Sequence, residues 1–153
     1  MEENKSNKMY GRFAAMILTS TVVMYALMYL NTLEWDHVRF SETRTYMAIL
    51  MGAAMAIIML AFMLQMHDNR RINAAIFVGS AVLFSLSLWL VRSQATVDDV
   101  AYMKGMIPHH SIAILTSQRA RISDPRVRTL ADQIIESQKR EIAEMNALIE
   151  DMK

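Results

Sequence analysis

The chain has 153 residues, a formal net charge of +1 and no cysteine. The length suits one ordinary domain, and the near-neutral charge gives no indication of a nucleic-acid partner. Without cysteine, disulfides, thiolate catalysis and Cys-based zinc or iron–sulfur sites are excluded, so a metal site must use His, Met, carboxylate or amide groups. The sequence also contains neither of the glycine-rich motifs that bind nucleotide phosphates.

Three long apolar segments fill most of the first 92 residues, at about residues 13–30, 46–66 and 72–91. Each is close to the roughly 20 residues that a helix needs to cross a hydrocarbon layer of about 30 Å. The first segment is too long for a typical signal peptide, and no small-x-small cleavage site follows it. Three buried helices of a soluble bundle are the alternative, but none of the segments has a polar face. We therefore predict a membrane domain of three transmembrane helices over residues 1–92.

The positive residues near the segment ends predict the orientation of the chain. Those on one side of the membrane are Lys5, Lys8, Arg12, Arg70 and Arg71, and those on the other are Arg39, Arg44 and Arg92, with Lys104 further away. Cytoplasmic loops carry the excess of Lys and Arg. We therefore expect a bacterial inner-membrane protein with its N-terminus in the cytoplasm and its C-terminal segment in the periplasm.

From Val97 onward the pattern changes to amphipathic helix. Asp98 and Asp99 favour the start of a helix that runs to about residue 120. Asp124 and Pro125 then supply a cap and a first-turn proline for a helix that runs to about residue 151. The short connection predicts an antiparallel hairpin. The predicted fold is all-α, with three transmembrane helices followed by an extramembrane hairpin domain over residues 93–153.

Four potential metal donors lie close together on the first helix of the hairpin: Met103, Met106, His109 and His110. At about 100° per residue they fall within an arc of roughly 120°. Thioether sulfur and imidazole nitrogen together suit copper, and sulfur favours Cu(I). Pro108 has no N–H, so we expect the helix to bend here and let the donors converge. His110 falls in the apolar stripe of the helix, whereas His109 falls at its edge.

The second helix of the hairpin carries polar and sulfur donors in its apolar face, at Gln138, Glu141 and Met145. A turn near residues 121–122 would place Met103 roughly opposite Glu141 and His110 level with Ile134. Buried polar groups need partners, and a metal ion would supply them. Zinc is the second candidate metal, and it ranks below copper because methionine is not one of its usual ligands. The alternative to a metal site is that His110 is a core histidine with hydrogen-bond partners in the protein and that the methionines fill gaps in the packing.

Residues 98–152 resemble the family known as domain of unknown function 305, a ferritin-like helical family whose members are implicated in copper binding and tolerance. The shared pattern is Met-Ile-Pro-His-His at residues 106–110, Asp-Pro at 124–125, and a final stretch with Gln138, Glu141 and Met145. The resemblance implies copper ligation by Met106, His109, His110 and Met145, and less directly by Met103, Gln138 and Glu141. Ser111 and Thr116 depart from the pattern, which usually has Gln and Met there. The three apolar segments resemble those of a membrane-anchored subgroup.

The second apolar segment contains a row of methionines four residues apart, at Met47, Met51, Met55, Met59 and Met63, followed by Met66 and His67. This spacing resembles that of eukaryotic copper-uptake channels, which gives an alternative function: Cu(I) transport through the transmembrane helices. Each step advances about 40° around the helix, so the five methionines wind through about 160° and cannot all line one straight pore. The competing explanation is that these flexible methionine side chains fill gaps where the helices pack together.

The sequence thus predicts a membrane-anchored copper-binding protein of metal homeostasis or tolerance, with Cu(I) favoured over Cu(II) and no enzymatic activity. A ferritin-like metal oxidase is another alternative, but the hairpin lacks the Glu-x-x-His pairs of di-iron bundles. A purely structural membrane protein is a third. Because two helices alone cannot bury so wide an apolar face, we expect a homodimer or higher homo-oligomer that completes a four-helix bundle. Copper-handling proteins are expected as further partners.

Overall fold

The computed structural model describes residues 2–153, with side chains from residue 6 onward. The described chain folds into the helices α1 (Glu2–Leu27), α2 (Glu42–Phe62), α3 (Arg70–Ser93), α4 (Asp99–Arg119) and α5 (Pro125–Asp151). Short 3-10 turns lie at Trp35–His37 and Leu64–Met66, and the described range contains no strand. The predicted fold class, three long apolar helices followed by two further helices, is confirmed.

Helices α1 to α3 contain the three apolar segments. Ser6–Leu27, Glu42–Phe62 and Arg70–Ser93 are each long and apolar enough to cross a membrane. Large apolar side chains on these helices point outward, among them Leu18, Val22, Phe62, Val78 and Val82. Such a surface suits lipid rather than water. The helices begin before the predicted segments, because the helical backbone continues into polar flanking residues that hydropathy alone does not mark.

The chain up to Ala26 and the stretch Thr43–Ala95 form one compact unit, here called the three-helix unit. Its buried centre consists of Phe13, Ala56 and Leu60, and the residues packed against it are Ile17, Met59, Met63, Ile76 and Phe77. Helix α1 approaches α2 closely at Gly52, where an added Cβ would overlap the side chain of Thr21. A small residue is therefore required there, as in other closely packed membrane helices.

The stretches Leu27–Glu42 and Thr96–Lys153 form the second compact unit, here called the hairpin unit. Helices α4 and α5 pack together through the buried side chains of Met103, Ile107, Ile114, Ile135, Ile142 and Ile149. Asp98 accepts the N–H of Ala101 at 2.7 Å, and Asp124 accepts the N–H of Arg126 at 2.8 Å. These caps satisfy backbone donors at the helix starts, which lie where the sequence predicted them.

Helix α4 remains helical from end to end through Pro108. Its proline ring leaves the carbonyl four residues earlier without its usual N–H partner. The bend expected from that loss stays a prediction.

The segment Leu27–Glu42 belongs to the hairpin unit, which the sequence did not indicate. The N–H of Leu33 donates to the hydroxyl oxygen of Ser111 at 2.7 Å. The Nδ1 atom of His37 lies 2.9 Å from the same oxygen, and Ser111 is completely buried. The segment therefore covers one face of α4, so part of the apolar surface expected to need a partner chain is buried within this chain.

Candidate metal site

An open pocket of about 410 Å³ lies between α4 and α5. Five of the seven predicted metal donors line it: Met103, Met106, His110, Glu141 and Met145. Its wall also includes the carboxylates of Asp99 and Glu144 and the thioether of Met152, which the sequence analysis did not single out. The fold therefore brings three of the predicted thioethers and one imidazole to a single cavity.

The other two predicted donors do not line this pocket. Gln138 is half-buried on α5 outside its wall, and His109 is exposed on α4. The rings of His109 and His110 lie with their centroids 6.5 Å apart and their planes at 67°. The prediction that the two histidines point in different directions, with His110 inward and His109 at the edge, is confirmed.

His110 is held at both ring nitrogens. Its Nδ1 lies 3.0 Å from the carbonyl oxygen of Met106, and its Nε2 lies 2.7 Å from Oε2 of Glu141. A carbonyl oxygen and an ionised carboxylate only accept hydrogen bonds, so each ring nitrogen of His110 faces an acceptor. Only 11% of the His110 side chain is exposed.

The carboxylate of Glu141 is the polar centre of the pocket. The hydroxyl of Ser137 donates to its Oε1 at 2.6 Å. This bond, followed by the bond from His110, holds the pKa of the Glu141 carboxyl below its ordinary value. Glu141 therefore stays ionised at neutral pH, beside the nitrogen that a metal ion would have to reach.

The contact between α4 and α5 differs from the one expected by counting residues from the turn. His110 was expected level with Ile134, but it bonds to Glu141, two helical turns further along α5. Side chains on a helix lean toward its N-terminus by about one turn. The side chains of α4 therefore lean away from the loop that connects the two helices, and the side chains of α5 lean toward that loop. The two displacements add, which accounts for the shift of about seven residues.

The donor set fits a soft metal ion. Thioethers and an imidazole are the ligands that Cu(I) accepts most readily. The described residues include no group of three or more His, Cys, Asp or Glu that could hold a metal ion. The carbonyl of Met106 lies beside Nδ1, so Nε2 is the His110 nitrogen that a metal ion could coordinate.

One feature of the sequence pointed to the contact made by Ser111. This residue replaces the Gln usual in the resembled family, and its short side chain leaves room for the backbone of Leu33. The available signal was thus this departure from the family motif, beside two of the predicted metal donors. The departure could not reveal which segment of the chain packs against Ser111.

Comparison with known proteins places these helices in a family. Residues 99–153 match the family model described as domain of unknown function (DUF305). Over 146 residues the chain is 34% identical to the uncharacterized protein L153 of Acanthamoeba polyphaga mimivirus, covering 91% of this chain and 94% of that protein. No solved structure matches the chain. The similarity extends well beyond the DUF305 segment, and the chain belongs to the same family as the viral protein.

Proposed function

We propose that this family member is a membrane-anchored copper-binding protein that holds Cu(I) in the pocket between α4 and α5. The observation that carries the proposal is the convergence of Met103, Met106, Met145 and His110 on one cavity. Neutral sulfur and nitrogen donors of this kind favour Cu(I) over harder ions. The absence of cysteine suits a site that must survive in an oxidising compartment.

The residues of the pocket have different roles in the proposed copper binding. Met103 is almost fully buried and Met106 and Met145 are half-buried, so their thioethers lie below the pocket mouth. His110 offers Nε2 once its proton has left, because Nδ1 remains bonded to the carbonyl of Met106. Glu141 then remains beside the site as a negative charge that stabilises the bound cation. Exposed His109 lies next to His110 and is assigned to capture of the ion from solvent.

We propose the same membrane orientation as the positive residues predict. Three helices that are long and apolar enough to cross a membrane precede α4 and α5 in the chain. Lys8, Arg12, Arg70 and Arg71 flank the ends assigned to the cytoplasm, in a bacterial inner membrane. The hairpin unit then faces the periplasm, where it would buffer copper or pass it to copper-handling proteins.

A second copy of the chain is the proposed partner of α5. Four apolar side chains on this helix are exposed, as is the residue that follows it: Val127, Leu130, Ile134, Leu148 and then Met152. At about 100° per residue the four lie within an arc of roughly 60°, and Glu141 and Met145 fall in the same arc. Two-fold pairing along this stripe would bury it and close each copper pocket with the partner chain.

The oligomeric state of the full-length protein in detergent tests this pairing. We expect a dimer by light scattering, and a monomer when Leu130 and Leu148 are both replaced by Glu. A monomeric wild-type protein, or a variant that stays dimeric, would contradict the proposed pairing without bearing on the copper ligands.

Copper titration of ligand variants tests the function. Full-length protein would be titrated anaerobically with Cu(I) against a colorimetric chelator. We expect His110→Ala and Met145→Leu each to weaken one copper site by at least about tenfold, whereas His109→Ala serves as the matched control with a change under about threefold. Equal copper binding by wild type and His110→Ala would contradict the proposal.

A further inference from the structure

His67 is a buried histidine in the three-helix unit, between α2 and α3, with 2% of its surface exposed. Its Nδ1 lies 3.0 Å from the carbonyl oxygen of Met63, so this nitrogen must carry the proton. The neutral ring then has a free lone pair on Nε2. This atom is buried and has no hydrogen-bond partner among the described residues. A buried acceptor without a donor is rare in folded proteins and calls for a ligand or another explanation.

The surroundings of His67 keep its ring from turning toward another partner. Asn73 donates from Nδ2 to the His67 carbonyl at 2.7 Å, and Tyr10 donates to Oδ1 of Asn73 at 2.7 Å. The rings of Tyr10 and Phe13 meet the imidazole edge-on, with centroids 4.7 Å and 5.7 Å away. The imidazole therefore lies against two aromatic rings of α1, and its Nε2 is buried.

The methionine row of α2 ends at this histidine. Because the row winds around the helix, its first member, Met47, is exposed. Its last two members, Met59 and Met63, pack against the buried centre of the unit, which includes Phe13. Phe13 in turn contacts the His67 ring. Met59 and Met63 are thus partly buried against the cluster that contains Phe13, the residue whose ring also contacts His67.

We propose that His67, Met59 and Met63 form a second Cu(I) site within the three-helix unit. Cu(I) accepts two or three soft neutral donors, whereas a proton on Nε2 would need an acceptor that the described residues do not provide. Zinc would need further nitrogen, oxygen or thiolate ligands. The site is independent of the pocket in the hairpin unit, and its position at one end of α2 makes it a docking point rather than a continuous pore.

The test uses full-length protein carrying His110→Ala, so that copper in the hairpin pocket does not obscure the second site. Cu(I) is titrated anaerobically against a chelator, and bound copper is examined by X-ray absorption. We expect this background to retain one equivalent of Cu(I) with both sulfur and nitrogen scattering. His67→Gln removes that equivalent, and Met63→Leu weakens it at least tenfold.

Met47→Leu is the matched control, because it changes the same residue type on the same helix outside the buried cluster. It should leave the retained equivalent unchanged. Circular dichroism and size-exclusion chromatography verify that each variant is folded, and the nearly isosteric Met63→Leu keeps the test meaningful if His67→Gln unfolds. The proposal is overturned if the His110→Ala background binds no Cu(I), or if Met47→Leu weakens binding as much as Met63→Leu. Loss of the second site alone leaves the hairpin site standing, since His110→Ala would still weaken copper binding in the hairpin pocket by at least about tenfold relative to wild type.

Discussion

Copper binding by the hairpin pocket should release one proton. In the metal-free protein Nε2 of His110 carries the proton that it donates to Glu141, 2.7 Å away. A metal ion can bind this nitrogen only after the proton leaves, because ligating nitrogen must present its lone pair. The thioethers of Met103, Met106 and Met145 do not titrate, so the histidine alone sets the pH dependence of affinity.

The size of the effect follows from the proton count. One displaced proton changes the dissociation constant tenfold per pH unit, about 1.4 kcal/mol, with tighter binding at higher pH. The window to examine lies above the ordinary glutamate pKa, where the Glu141 carboxylate accepts the Nε2 proton. Within it Glu141 is ionised, since its pKa is lowered by Ser137 and then by His110.

The assay is an anaerobic Cu(I) titration against a chelator of known proton affinity, at several pH values, in the His67→Gln variant so that a single site is followed. We expect log Kd to fall by one unit per pH unit. A slope of zero would mean that thioethers alone bind copper, and a slope of two would mean that His109 also loses a proton. Either result would refute the assignment of His110 as the one imidazole ligand.

Three further predictions concern packing. Gly52→Ala should destabilise the three-helix unit by about 1–3 kcal/mol in detergent melts, because the new Cβ would overlap Thr21. Gly79→Ala is the control and should leave stability unchanged or raise it, because nothing lies within 4 Å of its added Cβ. Ser111→Ala should cost about 1–3 kcal/mol, because the N–H of Leu33 loses its acceptor, and an unchanged chemical denaturation midpoint would contradict that contact. Ser111→Gln should overfill the same buried position and increase hydrogen exchange at the Leu33 amide, and retained protection there would show that the segment docks by other means.

The fold followed from the sequence because its signals are local and strong. Long apolar segments without a polar face admit few structures, and the carboxylates of Asp98 and Asp124 mark helix starts through bonds to nearby backbone donors. The docking of Leu27–Glu42 onto α4 could not be predicted. It depends on a few contacts between distant residues, centred on one buried serine hydroxyl, and no periodic pattern encodes them.

The candidate site was predictable on each helix separately. Helical angles correctly separated inward His110 from exposed His109, because both lie on one regular helix. Counting Cα positions did not predict the bond between His110 and Glu141, because such counting ignores the direction in which side chains lean. The unpartnered Nε2 of His67 lay beyond sequence reasoning altogether, since a bond from its other nitrogen to a backbone carbonyl decides which atom carries the proton.

Copper K-edge X-ray absorption of the Cu(I)-loaded, full-length His67→Gln variant tests the central claim most directly. Metal analysis of the same sample fixes the stoichiometry. The proposed site predicts one copper per chain, with scattering dominated by sulfur from the pocket methionines and a single imidazole contribution that disappears in the added His110→Ala variant. Copper surrounded only by nitrogen and oxygen, or no retained copper, would contradict a Cu(I) site in the pocket between α4 and α5.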